Sequence, residues 1–310
     1  MLKYVGIRVL QAIPVLFFIM LASFLLIHLV PGDPARIQLG SHAPQSQVEA
    51  LRRQLGLERP LIAQFWTFVT GAVHLSFGES LSLHQSVGTV IRSKAGLTTM
   101  LMLYSLLISV VLTVPLGILA AVKRDRPVDH VIRVVGMVFF VMPSFWLGLL
   151  LALVFGLVLG VLPTGGYETG LGGEIRSLTL PALALGLVMA PLFLRSLRAG
   201  VIQMLDKGFV EAARARGFSQ RRVLFGHVLR NASISTVTLV GLTVGALLSW
   251  TLVVENVFAL PGLGSLLVAA VSARDYPLIQ GLAVVLAVGV VVINLLTDLA
   301  YAAIDPRVRL

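Results

Sequence analysis

An all-α protein that crosses a membrane about six times is the fold class that this sequence predicts. Hydrophobic residues make up 57% of the 310 positions and charged residues only 12%, which is less charge than a soluble domain of this size needs to cover its surface. We take six stretches without Asp, Glu, Lys or Arg as the candidate spans: 9–32, 95–122, 134–167, 177–194, 231–254 and 276–297. Each is long enough for a helix to cross about 30 Å of hydrocarbon, which takes roughly 18–20 residues.

The first and third charge-free stretches differ from the other four in their flanks or their length. Lys3 and Arg8 precede the first run, but that run is longer than the apolar core of a signal peptide and no A-x-A-like cleavage site follows it. We therefore expect an uncleaved first helix over roughly 9–30. The 34-residue third run is too long for one span and too short for two, and we expect Pro143 and Pro163 to bracket its central part.

The segment 31–98 separates the first helix from the rest, so we divide the chain into 1–98, with the first helix and a long outer segment, and a core domain over 99–310. The apolar stretch Pro60–Val73 is short for a span and predicts an interfacial or buried helix. Residues 46–57 predict a short amphipathic helix that carries Arg52 and Arg53. The motif Pro31-Gly32-Asp33-Pro34 is expected to end the first helix, because both prolines interrupt helical hydrogen bonding.

The basic residues predict the orientation of the spans. With the N-terminus inside, 16 of the 24 lysines and arginines fall on the cytoplasmic side, as the positive-inside rule requires. Six spans then place both termini in the cytoplasm. The net charge of +10 is spread over the loops rather than gathered on one face, which argues against nucleic-acid binding. The absence of cysteine excludes disulfides and thiolate chemistry.

A charged loop over about 195–232 interrupts the apolar runs. We expect Asp206 to cap a short helix over 207–215, with Glu211 in its early turns, where a negative charge suits the helix dipole. Gly217 would end that helix in a left-handed turn. A second short helix would start near Ser219 and run through Arg222 toward Asn231, so that the two short helices form a compact knob.

Three charged residues stand near the outer ends of the last two spans. Glu255 falls at the outer edge of the fifth span, where it either contacts the substrate, serves as a gate or pairs with Arg274. Arg274 and Asp275 lie in the loop that precedes the last span, and both are candidates for a gate or an outer contact.

Other classes of function leave features that this sequence lacks. It has no H-E-x-x-H for an intramembrane metal enzyme and no G-x-x-x-x-G-K-[ST] for an ATPase. An ion-coupled secondary transporter is the alternative that we keep. It would be expected to carry acidic residues within the spans or matched repeats with broken helices, and no charged residue lies in the core of a predicted span.

The loop carries the run Glu211-Ala212-Ala213-Arg214-Ala215-Arg216-Gly217. Glu-Ala-Ala, three residues and Gly, placed between the fourth and fifth spans, resembles the EAA motif of the inner-membrane permease subunits of ATP-binding-cassette (ABC) importers. Other motifs resemble the dipeptide, oligopeptide, glutathione and nickel permeases within that group. They are Pro31-Gly32-Asp33-Pro34, Leu55-Gly56-Leu57-Glu58-Arg59-Pro60, Phe77-Gly78-Glu79-Ser80, Phe145-Trp146-Leu147-Gly148, His227-Val228-Leu229-Arg230-Asn231-Ala232, Val253-Val254-Glu255-Asn256-Val257-Phe258, Pro261-Gly262-Leu263-Gly264, Arg274-Asp275-Tyr276-Pro277 and Asp305-Pro306-Arg307.

One position departs from the pattern of these permeases. They commonly have a proline where this chain has Ser235, so the entry into the fifth span is expected to be less kinked.

The resemblance implies a type I ABC importer permease fold and a multi-pass protein of a bacterial or archaeal inner membrane. It implies three kinds of partner protein: a second permease in a heterodimer, one or two cytosolic ATPases and an extracytoplasmic binding protein. ATP and Mg²⁺ would be used by the ATPases, with no cofactor or metal on this chain and membrane lipid around it. It implies that the loop contacts the ATPase through Asp206, Glu211, Ala212, Ala213, Arg214, Gly217 and Ser219. Whether peptides, glutathione, nickel chelates or other solutes cross is left open.

Overall fold

A computed structural model describes residues 2–29, 34–39, 43–54 and 56–304 of the chain. These residues form two compact units. The first comprises the described residues of 1–97 together with Pro261–Val292, and the second comprises Thr98–Leu260 with the described residues from Ile293 onward. Pro31, Gly32 and Asp33 of the first predicted helix stop lie outside the described residues, as do Asp305, Pro306 and Arg307.

The first unit begins with helix α1, Leu2–Leu29, which covers residues 9–29 of the first charge-free run. Three short helices follow: α2 (Pro34–Leu39), α3 (Gln45–Gln54) and α4 (Leu61–Val73). The helices α3 and α4 occupy the two segments for which the sequence predicts short helices. At 13 residues, α4 is about 20 Å long and cannot cross the hydrocarbon core alone.

An aromatic cluster joins α4 to α1. Phe65 is buried and meets Phe17 and Phe24 edge to face, with ring centroids 5.7 Å and 5.4 Å away. Such T-shaped pairs place the positive edge of one ring on the negative face of the other. The opposite face of α4 stays open, since Trp66 is 55% exposed. The segment is therefore a short helix held on α1 by one side.

Helix α5, Val87–Val122, runs from the first unit into the second. The third charge-free run is a broken helix: α6 (Pro127–Val141) and α7 (Ser144–Leu151) meet at 106°, and α7 continues into a π-helical turn at Ala152–Val158. The break falls at Pro143, one of the two prolines expected to bracket the central part of this run, because its ring cannot continue the helix. The helical part after the break ends at Val158, before the other proline, Pro163.

The longest buried helix of the second unit is α8, Leu171–Leu205, which packs against α6, α7 and α11. Fully buried side chains run along it from Leu178 to Val201. Two short helices, α9 (Gly208–Ala215) and α10 (Gln220–Val223), then lead through a π-helical turn (Leu224–Val228) into α11, Leu229–Val257. Helices α12 (Leu263–Ser272) and α13 (Tyr276–Ile304) complete the described chain.

Six helical segments thus occupy the six predicted spans. Four of the described helices are long and apolar enough to cross a membrane, and the bent pair α6–α7 makes five if it counts as one span. Within α1, the apolar stretch Leu10–Leu25 falls short of a full span by that measure. The division of the chain at residue 98 and the orientation of the spans stay predictions.

Candidate functional site: the loop between α8 and α11

The helix α9 separates a buried face from an exposed one. Val210 and Ala213 are buried, at 0% and 9% exposure, whereas Glu211, Ala212 and Arg214 face outward. The spacing of three between the buried pair places both on one side of a helix. The Glu-Ala-Ala run is therefore divided: its acid and first alanine are available to a partner, and its second alanine belongs to the core.

Gly217 ends α9 as predicted. Its φ is +80°, in the left-handed region that favours glycine. The N–H of Phe218 donates to the carbonyl of Ala213 at 3.2 Å, and the N–H of Gly217 donates to the carbonyl of Arg214 at 2.9 Å. This pair of bonds is the Schellman motif, which satisfies the last carbonyls of a helix. The turn fixes the direction in which the chain leaves α9.

Ser219 starts the second short helix, also as predicted. Its hydroxyl oxygen accepts a hydrogen bond from the N–H of Arg222 at 3.4 Å, the usual role of a serine N-cap. From Gln220 the helix continues without a stop to Val257, although it passes through the π-helical turn. The second short helix is thus the N-terminal end of the helix that forms the fifth span.

A small core holds the two short helices in place. Val210 and Ala213 pack in one cluster with Leu197 and Val201 of α8, and the other members of that cluster are Ala121, Val223, Val228 and Ala232. Near this core the backbones of α8 and α11 approach closely. A Cβ added to Gly200 of α8 would lie only 2.6 Å from the carbonyl oxygen of Ala232 in α11, so there is no room for a side chain at this position. Small residues allow such backbone approach between helices. We call residues 206–222 the knob.

The prediction that Asp206 caps α9 is wrong. Helix α8 runs to Leu205, past the predicted end of the fourth span, and Asp206 lies at its C-cap. Lys207 is the N-cap of α9, and its side chain makes no capping hydrogen bond. Asp206 is exposed, and its carboxylate lies 3.9 Å from a guanidinium nitrogen of Arg124. The predicted loop of 195–232 shrinks for the same reason, because both flanking helices extend into it.

The predicted coupling residues therefore differ in what they can reach. Those that are exposed can meet a partner, namely Asp206, Glu211, Ala212, Arg214, Gly217 and Ser219. Ala213 is buried and can act only by holding α9 on its core.

The predicted outer residues occupy different surroundings. In the second unit Glu255 is fully buried, and its carboxylate accepts a 2.6 Å hydrogen bond from the hydroxyl of Thr98. In the first unit Arg274 is exposed with φ +54°, whereas Asp275 is buried. The pair Glu255–Arg274 would join the two units and stays a prediction.

Asp275 organises a loop of the first unit. Its carboxylate accepts hydrogen bonds from the hydroxyls of Ser80 at 2.6 Å and Ser82 at 2.7 Å, and from the N–H of Ser82 at 3.0 Å. Burial alone would raise the pKa of Asp275, but these bonds to the charged form outweigh it and lower the pKa below its ordinary value.

A buried ion pair in the second unit was missed from the sequence. Asp129 is fully buried in the first turn of α6, and its two carboxylate oxygens accept from Nε and an Nη of Arg198 at 2.8 and 2.6 Å. Arg133, one turn along α6, lies 3.5 Å from the same carboxylate. Asp129 and Arg198 both fall outside the charge-free runs, so neither stands out in the sequence. The sequence does contain one indication of this pair. Pro127 followed by Asp129 marks the start of a helix, and a carboxylate that is buried there needs a cationic or hydrogen-bonding partner.

Comparisons with known proteins agree with this architecture. Two family models match: binding-protein-dependent transport system inner membrane component over residues 113–310, and the N-terminal region of such membrane components over residues 1–99. The chain is 40% identical over 309 residues to the glutathione transport system permease protein GsiC of Escherichia coli K12 and of Shigella dysenteriae, covering 100% of this chain and 99% of each relative.

Solved structures support the fold independently. Two crystal forms of the MetNI methionine ABC transporter match with TM-scores of 0.58 and 0.56, at 17% and 18% identity, over 70% of this chain and 96% of theirs. At this low sequence identity, the match shows that the chain has the type I importer permease fold, and it shows nothing about the solute. None of the relatives named here is an ion-coupled secondary transporter, so the alternative kept from the sequence has no support. The chain belongs to the inner-membrane permease subunits of binding-protein-dependent ABC importers, in the branch that includes the glutathione permeases.

Proposed function

We propose that the knob is the surface through which this permease subunit receives the motion of a cytosolic ATPase. The observation that carries the proposal is the division of α9 into a buried face on the α8–α11 core and an exposed face with Glu211, Ala212 and Arg214. A surface that transmits displacement has to be rigid, and here the core and the Schellman turn supply rigidity. The exposed face stays free for contact.

The adjacent alanines provide a sharp test. Ala212→Arg changes only the exposed face, so the subunit should insert and fold normally but lose the ATPase on purification. Ala213→Arg forces a charge into the core below α9, so the subunit should lose stability as well. Co-purification from mild detergent and thermal unfolding of the permease measure the two effects separately. Normal ATPase recovery with Ala212→Arg would contradict the proposal.

Charge reversal at Glu211 tests whether the knob is needed for transport. Glu211→Lys should abolish ATP-dependent uptake while the protein remains in the membrane. Glu168→Lys is the matched control, because Glu168 is also an exposed acid but lies in the loop before α8, away from the knob. Uptake by Glu211→Lys equal to that by Glu168→Lys would remove Glu211 from the contact. Gly217→Pro should also abolish uptake, since proline cannot adopt a φ of +80°.

The solute that we propose is a short peptide or a peptide-like thiol such as glutathione. Support comes from the relatives that share 40% of their residues over the full chain and are named as glutathione permeases. We propose further that the working assembly contains a second, different permease, one or two ATPases that use ATP and Mg²⁺, and an extracytoplasmic binding protein that selects the solute. Uptake of labelled glutathione and of dipeptides by vesicles with all subunits decides between the two solutes, and uptake of neither would contradict the proposed class.

We propose outer roles for three residues. Glu255, which accepts a hydrogen bond from Thr98, and Asp275, which accepts hydrogen bonds from two serines, each fix the end of a segment that moves or contacts the binding protein during transport. Arg274 is exposed and can contact the binding protein directly. Glu255→Gln preserves the shape of the Thr98 contact and removes the charge. A transport defect with normal ATPase association would separate this role from the role of the knob.

A further inference from the structure

A pocket of about 650 Å³ lies between α6 and α8, within the second unit. One end of its lining is basic, with His130, Arg133 and Arg195. The other end is apolar, with Met137, Phe140 and Pro191. Neither the knob nor the outer residues contribute to it.

The basic end carries charge that the protein does not neutralise. Asp129 lies behind the pocket, but the bidentate bond to Arg198 already matches its charge. Arg133 contacts the same carboxylate only at 3.5 Å, and 45% of its side chain is exposed. Arg195 is exposed and has no ion pair with any residue in the part of the chain that the structure describes. About two positive charges therefore remain at one end of the pocket.

The order of charges and apolar groups matches one leaflet of a membrane. The basic end is on the side that the distribution of Lys and Arg predicts to be cytoplasmic. From Arg133 to Phe140, seven residues of α6 descend about 10 Å toward the middle of the bilayer. Arg195 and Pro191 follow the same order on α8. A ligand here would present an anion at the interface and an apolar chain below it.

We propose that this pocket binds one anionic phospholipid of the cytoplasmic leaflet, with its phosphate at Arg133 and Arg195 and an acyl chain along Met137 and Phe140. Guanidinium groups match phosphate oxygens in geometry and charge. Basic pockets between membrane helices on the cytoplasmic side suit anionic headgroups. A helix of a second permease is the competing occupant, but it would have to bring acidic residues to the membrane interface. The proposal does not depend on the solute or on the knob.

Native mass spectrometry of the intact importer tests the proposal. The complex is delipidated and then incubated with phosphatidylglycerol or with phosphatidylcholine of the same acyl chains. We expect selective retention of phosphatidylglycerol, and about 30-fold weaker retention after Arg133→Gln with Arg195→Gln, since each basic residue near the surface contributes appreciably to anionic lipid binding. The control Lys123→Gln with Arg126→Gln removes the same charge from exposed cytoplasmic positions outside the pocket and should retain the lipid.

A second variant tests the space beside the basic residues. Ala199 is exposed and lines the pocket, so Ala199→Trp fills space without entering the core. It should reduce retention of the anionic lipid while the basic residues stay in place. Equal retention of the two lipids by the wild type, or an equal loss in the control double variant, would overturn the proposal. So would crosslinks from residue 137 to the second permease in the intact complex with no lipid retained.

Discussion

Two fully buried aspartates, one in each unit, are stabilised by different kinds of partner. Asp129 of the second unit meets a cation, because Arg198 binds both of its oxygens. Asp275 of the first unit meets neutral donors, the hydroxyls of Ser80 and Ser82 and the backbone N–H groups of Ser82 and Leu278. Their exposures are 0% and 1%, so burial does not distinguish them.

The difference lies in what each aspartate leaves behind when it is removed. Without Asp129, the guanidinium of Arg198 keeps its charge in a site where its side chain is only 18% exposed. Without Asp275, the serine hydroxyls lose an acceptor but carry no charge and can rotate toward another. A buried carboxylate that is matched by a cation is thus the more sensitive point of the fold, although its bonds are no shorter.

The largest effect should follow from Asp129→Ala. Loss of one partner of a buried pair leaves an uncompensated charge and costs about 3–5 kcal/mol. Thermal or denaturant unfolding of the purified subunit measures the loss. The control Asp206→Ala removes an exposed acid with a distant partner and should change little. If both variants were equally stable, the ion pair would have no structural role.

Replacement of both partners sharpens the same point. Asp129→Leu combined with Arg198→Met removes the charge together with its need for a partner, and buried ion pairs are often no more stabilising than apolar pairs of similar volume. We expect the double variant to recover most of the stability lost by Asp129→Ala. A double variant as unstable as Asp129→Ala would show that the loss has another origin, such as the bond from the N–H of Asp125.

A smaller effect is expected for Asp275→Ala, about 1–3 kcal/mol, because buried hydroxyls lose their acceptor but no charge is stranded. Hydrogen exchange of residues 80–86 should rise, since Ser80 and Ser82 lose their anchor. Ser272→Ala is the control, because among the described residues its exposed hydroxyl bonds only to the carbonyl of Val268 within α12. A loss as large as that of Asp129→Ala would contradict the comparison.

The contribution of Asp275 should also depend on pH. Its pKa is lower in the folded protein than its ordinary value of 3.8, so the unfolded chain takes up its proton first as the pH falls. The stabilisation is complete well above pH 3.8 and is lost as the pH drops below that value through the folded pKa. The stability difference between wild type and Asp275→Asn, measured by unfolding from about pH 6 to about pH 3, should therefore shrink at low pH. A stability difference that grows as the pH falls would show that the folded protein raises the pKa of Asp275, contrary to this prediction.

The smallest effect on stability belongs to a third acid, Glu211, which is exposed on the knob. Glu211→Gln should lower the stability by at most about 0.3–1 kcal/mol, because within the described part of the chain the exposed acid in the first turn of α9 interacts only with the helix dipole. ATPase association is the readout expected to change. A clear loss of stability would show that Glu211 supports the fold of α9 and not a contact with a partner.

Features with a local cause could be predicted from the sequence. The six charge-free runs predict the spans, because the cost of burying charge acts on each segment alone. Gly217 and Ser219 predict the turn and the second helix, because each acts on its own backbone. The prediction that Asp206 caps α9 was wrong for a reason that is not local: α8 continues to Leu205, and its last turns bury Leu197 and Val201 in the core shared with α9 and α11.

Pairs that are distant along the chain were beyond such reasoning. Asp129 and Arg198 are 69 residues apart, and Ser80 and Asp275 are 195 residues apart. Each charge looks like an ordinary loop residue until two helices bring it to its partner. The sequence shows which residues are costly to bury, but only the fold shows which of them are buried together.

The π-helical turn at Leu224–Val228 fixes the register between the knob and the fifth span. The N–H of Leu229 donates to the carbonyl of Leu224, five residues back, so this turn holds one residue more than an α-helix would. One residue corresponds to about 100° of rotation around a helix axis. Substitutions can therefore change the chemistry of the knob and keep its direction, whereas a single insertion or deletion in 224–228 would turn its exposed face by more than a quarter of a circle. In the evolution of this subunit, the length of that turn should be kept more strictly than its composition.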